Sequence, residues 1–474
     1  MPKHALTAVP QDETSIGEEL RDATFASLEG RACTEASHAL TEAVNEQVLV
    51  QLARAEADGD AKTNRKKLKL AIAAFLADLL SANGRWVYRS MKTDGFTGAP
   101  VGARVFLSLQ LALQELGLVE HQPGVDQWFG GFDEGGPELV GRRWASRYCA
   151  TNKLIALAAE HGISSENVLD HFDYGLPKQP LQKRAASTRA AGRKVQGRIM
   201  KFDHTDLSQK LESDVRELNE YLAKQSFGGG CVHRGYVRIF QNGDDPHFNW
   251  DRGGRLYSQP ANSNYQQQSK TKRLEMTING LPVVEIDLRA SYLTIFNAWH
   301  GVQLARDKDP YVIPESGEEA REIVKLWVAA TFGNAGPLRK WPKDLLKNYE
   351  QEHGHPLDTK RYSAAKLGEL IINHHPLLGL WGQPMEDGRV RTWADLMYDE
   401  SRVIIDAMRG LMRNDDVPSL AVHDSLIVPE RHVHKGAMAL MGAFGGYFRV
   451  GHGHIPIAAH LKINSRQGSH WFKP

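Results

Sequence analysis

The chain has 474 residues, of which 41% are hydrophobic and 24% are charged, and this balance excludes a largely disordered protein. Its 58 lysines and arginines nearly balance 57 aspartates and glutamates, so a nucleic-acid surface has to come from local clusters of charge. Three widely spaced cysteines exclude a disulfide framework, and no apolar run is long enough to span a bilayer, which predicts a cytoplasmic protein without a membrane partner.

The first third of the chain is mostly helical in pattern. Residues 1–65 form a helical N-terminal extension in this interpretation, and residues 66–170 combine helical periodicity with a glycine-rich, hairpin-like stretch. The order of these elements resembles a winged helix-turn-helix domain, and a helical packing domain fits it equally well. The cluster of Arg142, Arg143, Arg147 and Lys153 favours contact with DNA, because phosphates attract such groups of cations.

Residues 171–202 are predicted to be a basic linker. The segment from Lys178 to Lys201 contains eight lysines or arginines and no acidic residue. A run of charge is often only a solvated surface, but its place between two candidate nucleic-acid modules favours contact with phosphates. Residues 203–474 then form a larger domain that begins with a thumb-like helix.

The first chemical motif of that domain is LPVVEIDLRASYLTIF. An apolar run typical of a strand ends at Asp287, and residues compatible with a helix follow. A carboxylate at the end of a strand can bind Mg²⁺, because this ion prefers oxygen ligands. A lone aspartate in that position is more commonly a helix N-cap.

The second motif is REIVKLWVAATFGNAG, which predicts a helix. Arg321 and Lys325 are four residues apart and share one face, and Phe332 lies two turns further, directly before Gly333. Two cations and a ring suit a nucleoside triphosphate, because the cations offset phosphate charge and the ring stacks on the base. The alternative is a surface helix with a core phenylalanine.

The third motif is VPSLAVHDSLIVPE, in which two apolar runs flank His423, Asp424 and Ser425. The pattern predicts a hairpin that presents one carboxylate. Polar residues in an apolar hairpin are costly unless they face solvent or a metal ion. Metal ligation is therefore favoured over structural capping.

In this order the three motifs resemble motifs A, B and C of the family A DNA polymerases and of the single-subunit phage and mitochondrial RNA polymerases. The resemblance extends over about residues 250–474, including the helix DESRVIIDAM and the closing strand pair that ends in GSHWF. It departs from the family in two places: the second motif is one residue shorter, and the spacing from Asp287 to Tyr292 is similar to that of family B. The resemblance implies an α+β fold, a right-hand polymerase palm with an antiparallel sheet and small helical fingers.

The same resemblance implies two-metal catalysis. Asp287 and Asp424 would hold two Mg²⁺ ions, for which Mn²⁺ can substitute, while His423 orients the primer end. Arg321 and Lys325 would offset the charge of the departing pyrophosphate, and Lys325 would also supply a proton.

Tyr292 lies where related polymerases place a bulky side chain beneath the sugar, so the expected substrates are deoxynucleoside triphosphates. The expected partner is a DNA primer-template, whose phosphates would be gripped by Arg255, Tyr257, Lys272 and Arg273, although these residues are equally consistent with ordinary surface charge. Two alternatives stay open: a DNA-binding replication initiator or regulator with an inactive palm, and an RNA polymerase that uses ribonucleotides. A compact polymerase with its own DNA-binding module would suit a phage or mobile element.

Overall fold

The computed structural model describes residues 20, 23–57, 65–96, 99–129, 140–190, 193–259, 264–305, 308–450 and 455–472. The chain forms two compact units. One comprises Met1–Gly175, Ala190–Arg193 and Pro260–Asn262, and the other comprises Leu176–Arg189, Lys194–Gln259 and Ser263–Pro474. Helices combine with small, mainly antiparallel sheets, which confirms the predicted α+β class. Every helix in the described ranges is too short or too polar to cross a membrane.

The first unit packs helices against small sheets. Its helices are α1 (Glu35–Ala57), α2 (Arg65–Ser81), α3 (Ala103–Glu115), α4 (Asn152–Glu160) and α5 (Val168–His171). Its strands are β1 (Thr24–Phe25), β2 (Arg31–Ala32), β3 (Val87–Arg89), β4 (Val119–Gln122), β5 (Val125–Phe129), β6 (Val140–Trp144), β7 (Ser146–Ala150) and β8 (Phe172–Asp173). The antiparallel pair β5 and β6 lies between α3 and α4 in the chain, and the winged helix-turn-helix interpretation stays a prediction.

The core of this unit centres on α2, where every residue from position 71 to 80 is buried. Its Phe75 ring meets Phe106 of α3 and Tyr148 of β7 edge to face, at centroid distances of 5.0 and 5.4 Å. Three of the strands lie in the order β3-β7-β4, with β1 added at the edge beside β3. Aromatic packing therefore fixes the small sheet to the helices.

The second unit contains the three chemical motifs. Its strands begin with β9 (Leu181–Arg184), which is followed by the hairpin of β10 (Thr188–Ala190) and β11 (Arg193–Val195), of which Ala190 and Arg193 are assigned to the first unit. The remaining strands are β12 (Ile199–Met200), β13 (Phe227–Gly228), β14 (Tyr236–Phe240), β15 (Gly253–Ser258), β16 (Thr277–Ile278), β17 (Leu281–Leu288), β18 (Leu420–Val422), β19 (Ser425–Pro429), β20 (Arg449–Val450), β21 (Ile455–Pro456), β22 (Leu461–Ser465) and β23 (Gly468–Trp471). Its helices are α6 (Asp206–Leu222), α7 (Lys270–Leu274), α8 (Ser291–Trp299), α9 (Arg321–Phe332), α10 (Lys343–His353), α11 (Ala364–His374), α12 (Trp393–Asp415) and α13 (Val433–Tyr447).

The main sheet of this unit has seven strands. Five follow the order β13-β16-β17-β19-β18. Strand β22 pairs with the carboxyl-terminal half of β17, on the edge opposite β19, and β23 pairs with β22. Strand β17 is central because Val283, Val284, Ile286 and Leu288 are all buried. The carboxyl end of β17 is therefore flanked by β19 on one side and β22 on the other.

The predicted basic linker is wrong for the residues that form strands. Strand β9 pairs in parallel with β14, and Leu181 is only 3% exposed. Strand β12 pairs with the other edge of β9. The residues before and after the β10–β11 hairpin therefore belong to one four-stranded sheet, in the order β12-β9-β14-β15. The second unit accordingly begins near residue 176 rather than at 203.

Helix α12 packs against β15, β18 and β19 and begins with a capping box, in which Thr392 and Asp395 exchange hydrogen bonds. Arg409 of this helix forms an ion pair of 2.6 Å with Asp214 of α6, and Arg413 forms one of 2.6 Å with Glu217. These contacts fix α12 against α6. The buried carboxylate of Glu400 in this helix accepts a hydrogen bond from Ser291, the first residue of α8.

Candidate active site

Asp287 and Asp424 lie at the ends of neighbouring strands. Asp287 pairs with Ser425, the residue after Asp424, and the backbone N–H of Leu288 donates to the carbonyl oxygen of Asp424 over 3.1 Å. Paired residues in such strands have Cα atoms about 5 Å apart and successive residues about 3.8 Å, so the two aspartates lie within about 10 Å of each other. Antiparallel pairing therefore brings together residues that are far apart in the sequence.

The backbone is strained beside both aspartates. His423 has φ 52° and Ala290, which precedes α8, has φ 46° and ψ 47°. The left-handed conformation costs a residue with a Cβ atom about 1–2 kcal/mol. The hairpin is nevertheless held firmly, because the hydroxyl of Tyr265 donates to the carbonyl of Ala421 over 2.7 Å and the N–H of Ala421 donates to Tyr236 over 2.9 Å. Strain of this kind is often retained where function requires a fixed geometry.

The Asp287 carboxylate is fixed by three donors. Ser425 donates to Oδ1, whereas Asn464 and Lys270 each donate to Oδ2 over 2.7 Å. The amide of Asn464 is 2% exposed and its oxygen accepts from Ser469 over 2.7 Å, so its orientation is fixed as well. An ionised carboxylate accepts about four hydrogen bonds. Lys270 is the exposed member of the set, and its ammonium occupies a position where another cation could bind.

The Asp424 carboxylate lacks such partners. Within the described ranges it has no ion pair, and no other residue donates a hydrogen bond to its side chain. Desolvation raises the pKa of Asp424 to about 7, and the negative charges of Glu400 and Asp287 add to this rise. Arg255 opposes the effect without cancelling it. A bound cation would relieve this excess of negative charge.

The two aspartates suit a magnesium site only in part. Their oxygens are the ligands that Mg²⁺ prefers, and the uncompensated charge of Asp424 favours a divalent ion. No group of three or more histidine, cysteine, aspartate or glutamate side chains in the described part of the chain could hold a metal ion by itself. Water and substrate phosphates would have to complete the coordination of any Mg²⁺ held here.

His423 opens to solvent beside Asp424. Desolvation lowers the pKa of His423 to about 4, and the charges of Arg255 and Arg273 lower it further. The imidazole is therefore neutral at pH 7. A neutral ring can offer a hydrogen bond without adding positive charge to the site.

The predicted contact of Arg255 with phosphates is wrong, because its guanidinium is used inside the unit. Its Nε donates to Glu400 over 2.8 Å, and its Nη2 donates to the hydroxyl of Tyr292 over 3.2 Å. Glu400 is 1% exposed and also accepts from Ser291 over 2.5 Å. Removing Arg255 would leave a buried charge unpaired, so this residue is structural.

Arg273 is corrected for the same reason. It donates from Nε and Nη2 to the two oxygens of Glu285, at 2.8 Å each, and its side chain is 12% exposed. Lys272, by contrast, is exposed, and Tyr257 is partly exposed. Both remain candidates for contact with a primer-template.

The cationic helix of the second motif forms as predicted, but its aromatic residue is not available to a base. Phe332 is 1% exposed and packs edge to face against Tyr292, with centroids 6.2 Å apart, and against Trp381, with centroids 4.9 Å apart. The core alternative is therefore correct for Phe332. Lys325 is exposed, and Gly333 ends the helix with φ −79°, a conformation that does not require glycine.

The candidate nucleic-acid residues of the first unit have mixed outcomes. Lys153 donates over 2.8 Å to the carbonyl of Leu116, which follows α3, and its side chain is exposed. Arg147 donates over 2.8 Å to the carbonyl of Ala145. The side chains of Arg142 and Arg143 lie outside the described residues, so their predicted contacts with DNA stay predictions.

Several residues of the site were missed by sequence reasoning. Glu400, Asn464, Lys270, Arg289 and Asp309 reach the site from separate elements. Arg289 could have been noticed, because it lies two residues after Asp287. The others carry no local signal, since they depend on strand pairing and helix packing across long stretches of chain.

The sequence was also compared with known proteins. No protein-family model matches it. No curated protein matches it either.

Proposed function

We propose that this protein is a nucleotidyltransferase with a polymerase-type palm, which extends a DNA primer with deoxynucleoside triphosphates. The observation that carries the proposal is the uncompensated carboxylate of Asp424 beside Asp287, at the ends of two paired strands. Two carboxylates in this arrangement are suited to bridging two Mg²⁺ or Mn²⁺ ions. Such ions stabilise the attacking and leaving oxygens of a phosphoryl transfer.

The protein's own groups have distinct roles in this proposal. Asn464 and Ser425 hold the Asp287 carboxylate in one orientation. The neutral ring of His423 would orient the primer end through a hydrogen bond. Lys325, exposed on α9, would offset charge on the departing pyrophosphate, since a cation placed in advance needs little rearrangement during the reaction.

Choice of deoxynucleotides is supported by the rigidity of Tyr292. Its hydroxyl is bonded to Arg255, and its ring meets Phe332 edge to face. A ring held on two sides cannot easily move away from a ribose 2′-hydroxyl. Tyr292 would therefore exclude ribonucleotides by steric conflict.

A second function is favoured by the ion pair of Lys270 with Asp287, because a protein that needs no metal ion would satisfy Asp287 in this manner. In that case the second unit would be an inactive palm within a DNA-binding initiator or regulator. A wild-type protein that binds DNA and extends no primer would support this alternative.

The proposal is tested by extension of a labelled DNA primer on a DNA template, with Mg²⁺ and either dNTPs or NTPs. Wild type should extend the primer with dNTPs, Asp424→Ala should not, and Asp203→Ala should match wild type because Asp203 is exposed and has no described ion pair. Extension by Asp424→Ala would contradict the proposed site. A preference for NTPs would instead identify a ribonucleotide-using polymerase.

A further inference from the structure

Two arginines meet at one carboxylate beside the site. The Nε and Nη2 atoms of Arg321, at the start of α9, both lie 3.0 Å from Oδ2 of Asp309. Nη2 of Arg289, which directly follows β17, lies 3.7 Å from the same oxygen. Arg321 also pairs with Glu322, whose side chain is 63% exposed, so that pair is well screened by water. Asp309 thus holds two cations from separate elements in one place.

Arg289 is unusually placed for an arginine. Its side chain is 11% exposed, and its guanidinium carbon lies 4.4 Å from the ring centroid of Trp471. Its Nε atom is buried and has no hydrogen-bond partner among the described residues. A cation with so little contact with water is stabilised by an anion beside it.

The arginine pair lies next to the two aspartates. Arg289 is two residues after Asp287, and the backbone N–H of Leu288, between them, donates to the carbonyl oxygen of Asp424 over 3.1 Å. The guanidinium carbon of Arg321 is 5.9 Å from the ring centroid of Tyr311, which lies two residues after Asp309. A short polyphosphate could reach from one region to the other.

We propose that Arg289, together with Arg321, binds the pyrophosphate part of the incoming nucleotide. Guanidinium groups form paired hydrogen bonds with phosphate oxygens, so two arginines can bind a pyrophosphate from both sides. Asp309 keeps both cations in position when no nucleotide is bound. The identity of the ligand as a nucleotide rests on the proposed function, whereas the pyrophosphate site can be measured independently of polymerisation.

The direct test is calorimetric titration of the full-length chain with inorganic pyrophosphate. Arg289→Gln should weaken binding about 10- to 100-fold, in proportion to the loss of hydrogen bonds to a charged group. Arg289→Lys keeps the charge and should weaken binding about 3- to 10-fold, since an ammonium lacks the planar fork. Arg216→Gln removes an exposed arginine from α6 and should bind as wild type does.

The outcomes separate this inference from the proposed function. Weaker pyrophosphate binding by both Arg289 variants supports the site even if wild type extends no primer. Unchanged pyrophosphate binding by Arg289→Gln overturns the inference even if wild type is an active polymerase. If the glutamine variant fails to fold, unchanged binding by Arg289→Lys overturns it in the same way. Failure of wild type to bind millimolar pyrophosphate overturns it as well. In an active enzyme, Arg289→Gln should raise the KM for dNTPs and leave the affinity for primer-template unchanged.

Discussion

Replacing Asp424 with asparagine should stabilise the protein at alkaline pH and abolish nucleotide incorporation. Desolvation, together with Glu400 and Asp287, raises the pKa of Asp424 from 3.8 to about 7. Between these values the folded protein binds a proton that the unfolded chain has already lost, so stability falls as the pH rises from about 4 to about 7. Asparagine cannot ionise, so the variant should not lose this part of its stability.

The size of the effect follows from the same values. The difference between 3.8 and about 7, at about 1.4 kcal/mol for each pKa unit, sets an upper limit of roughly 4 kcal/mol. The carboxylate is partly exposed, so solvent screening reduces the expected gain to about 1–3 kcal/mol at pH 8. At pH 4.5 the two proteins should differ by less than about 1 kcal/mol.

Urea unfolding without divalent ions, followed by tryptophan fluorescence at pH 4.5 and pH 8, measures this difference. Asp203→Asn serves as the control, because Asp203 is exposed, and it should leave stability unchanged at both pH values. An Asp424→Asn variant that is less stable than wild type at pH 8 would contradict a raised pKa at Asp424. So would a gain of equal size at both pH values.

Three further predictions concern the same site. Lys270→Met should strengthen Mn²⁺ binding in a calorimetric titration by about 3-fold, because an ammonium 2.7 Å from Asp287 no longer competes with the metal ion. Weaker binding would contradict this competition. His423→Gly should raise the free energy of unfolding by about 0.5–1 kcal/mol, because glycine adopts φ 52° without steric cost. A variant that thermal unfolding shows to be destabilised would count against strain at this position. Tyr292→Ala should reduce the ratio of kcat/KM for dNTPs over NTPs at least about 10-fold, which single-nucleotide incorporation measures. An unchanged ratio would remove Tyr292 from sugar selection.

The strand before Asp287 and the hairpin at Asp424 were predictable from the sequence. Both depend on local apolar periodicity and on neighbouring residues, as does the helix that begins at Arg321. Their convergence was predicted only through the resemblance to polymerases, because register between distant strands has no local signature. The structure accounts for it through the pairing of Asp287 with Ser425.

Partners of the charged residues were the least predictable feature. Arg255 binds Glu400, 145 residues later in the chain, so sequence alone could not tell an internal ion pair from a phosphate contact. The segment around Leu181 was mistaken for a linker because its many cations concealed a short strand whose partner, β14, lies more than 50 residues away. Phe332 has helical spacing suited to either a core or a ligand, and tertiary packing decided in favour of the core.

Asp287 and Asp424 are proposed to share two divalent ions. Titration of Mn²⁺ followed by electron paramagnetic resonance, in the presence of primer-template and a non-hydrolysable dNTP, counts the ions bound. Wild type should bind two ions for each chain, and both Asp287→Asn and Asp424→Asn should lose at least one of them. Equal stoichiometry and affinity in all three proteins would contradict the claim.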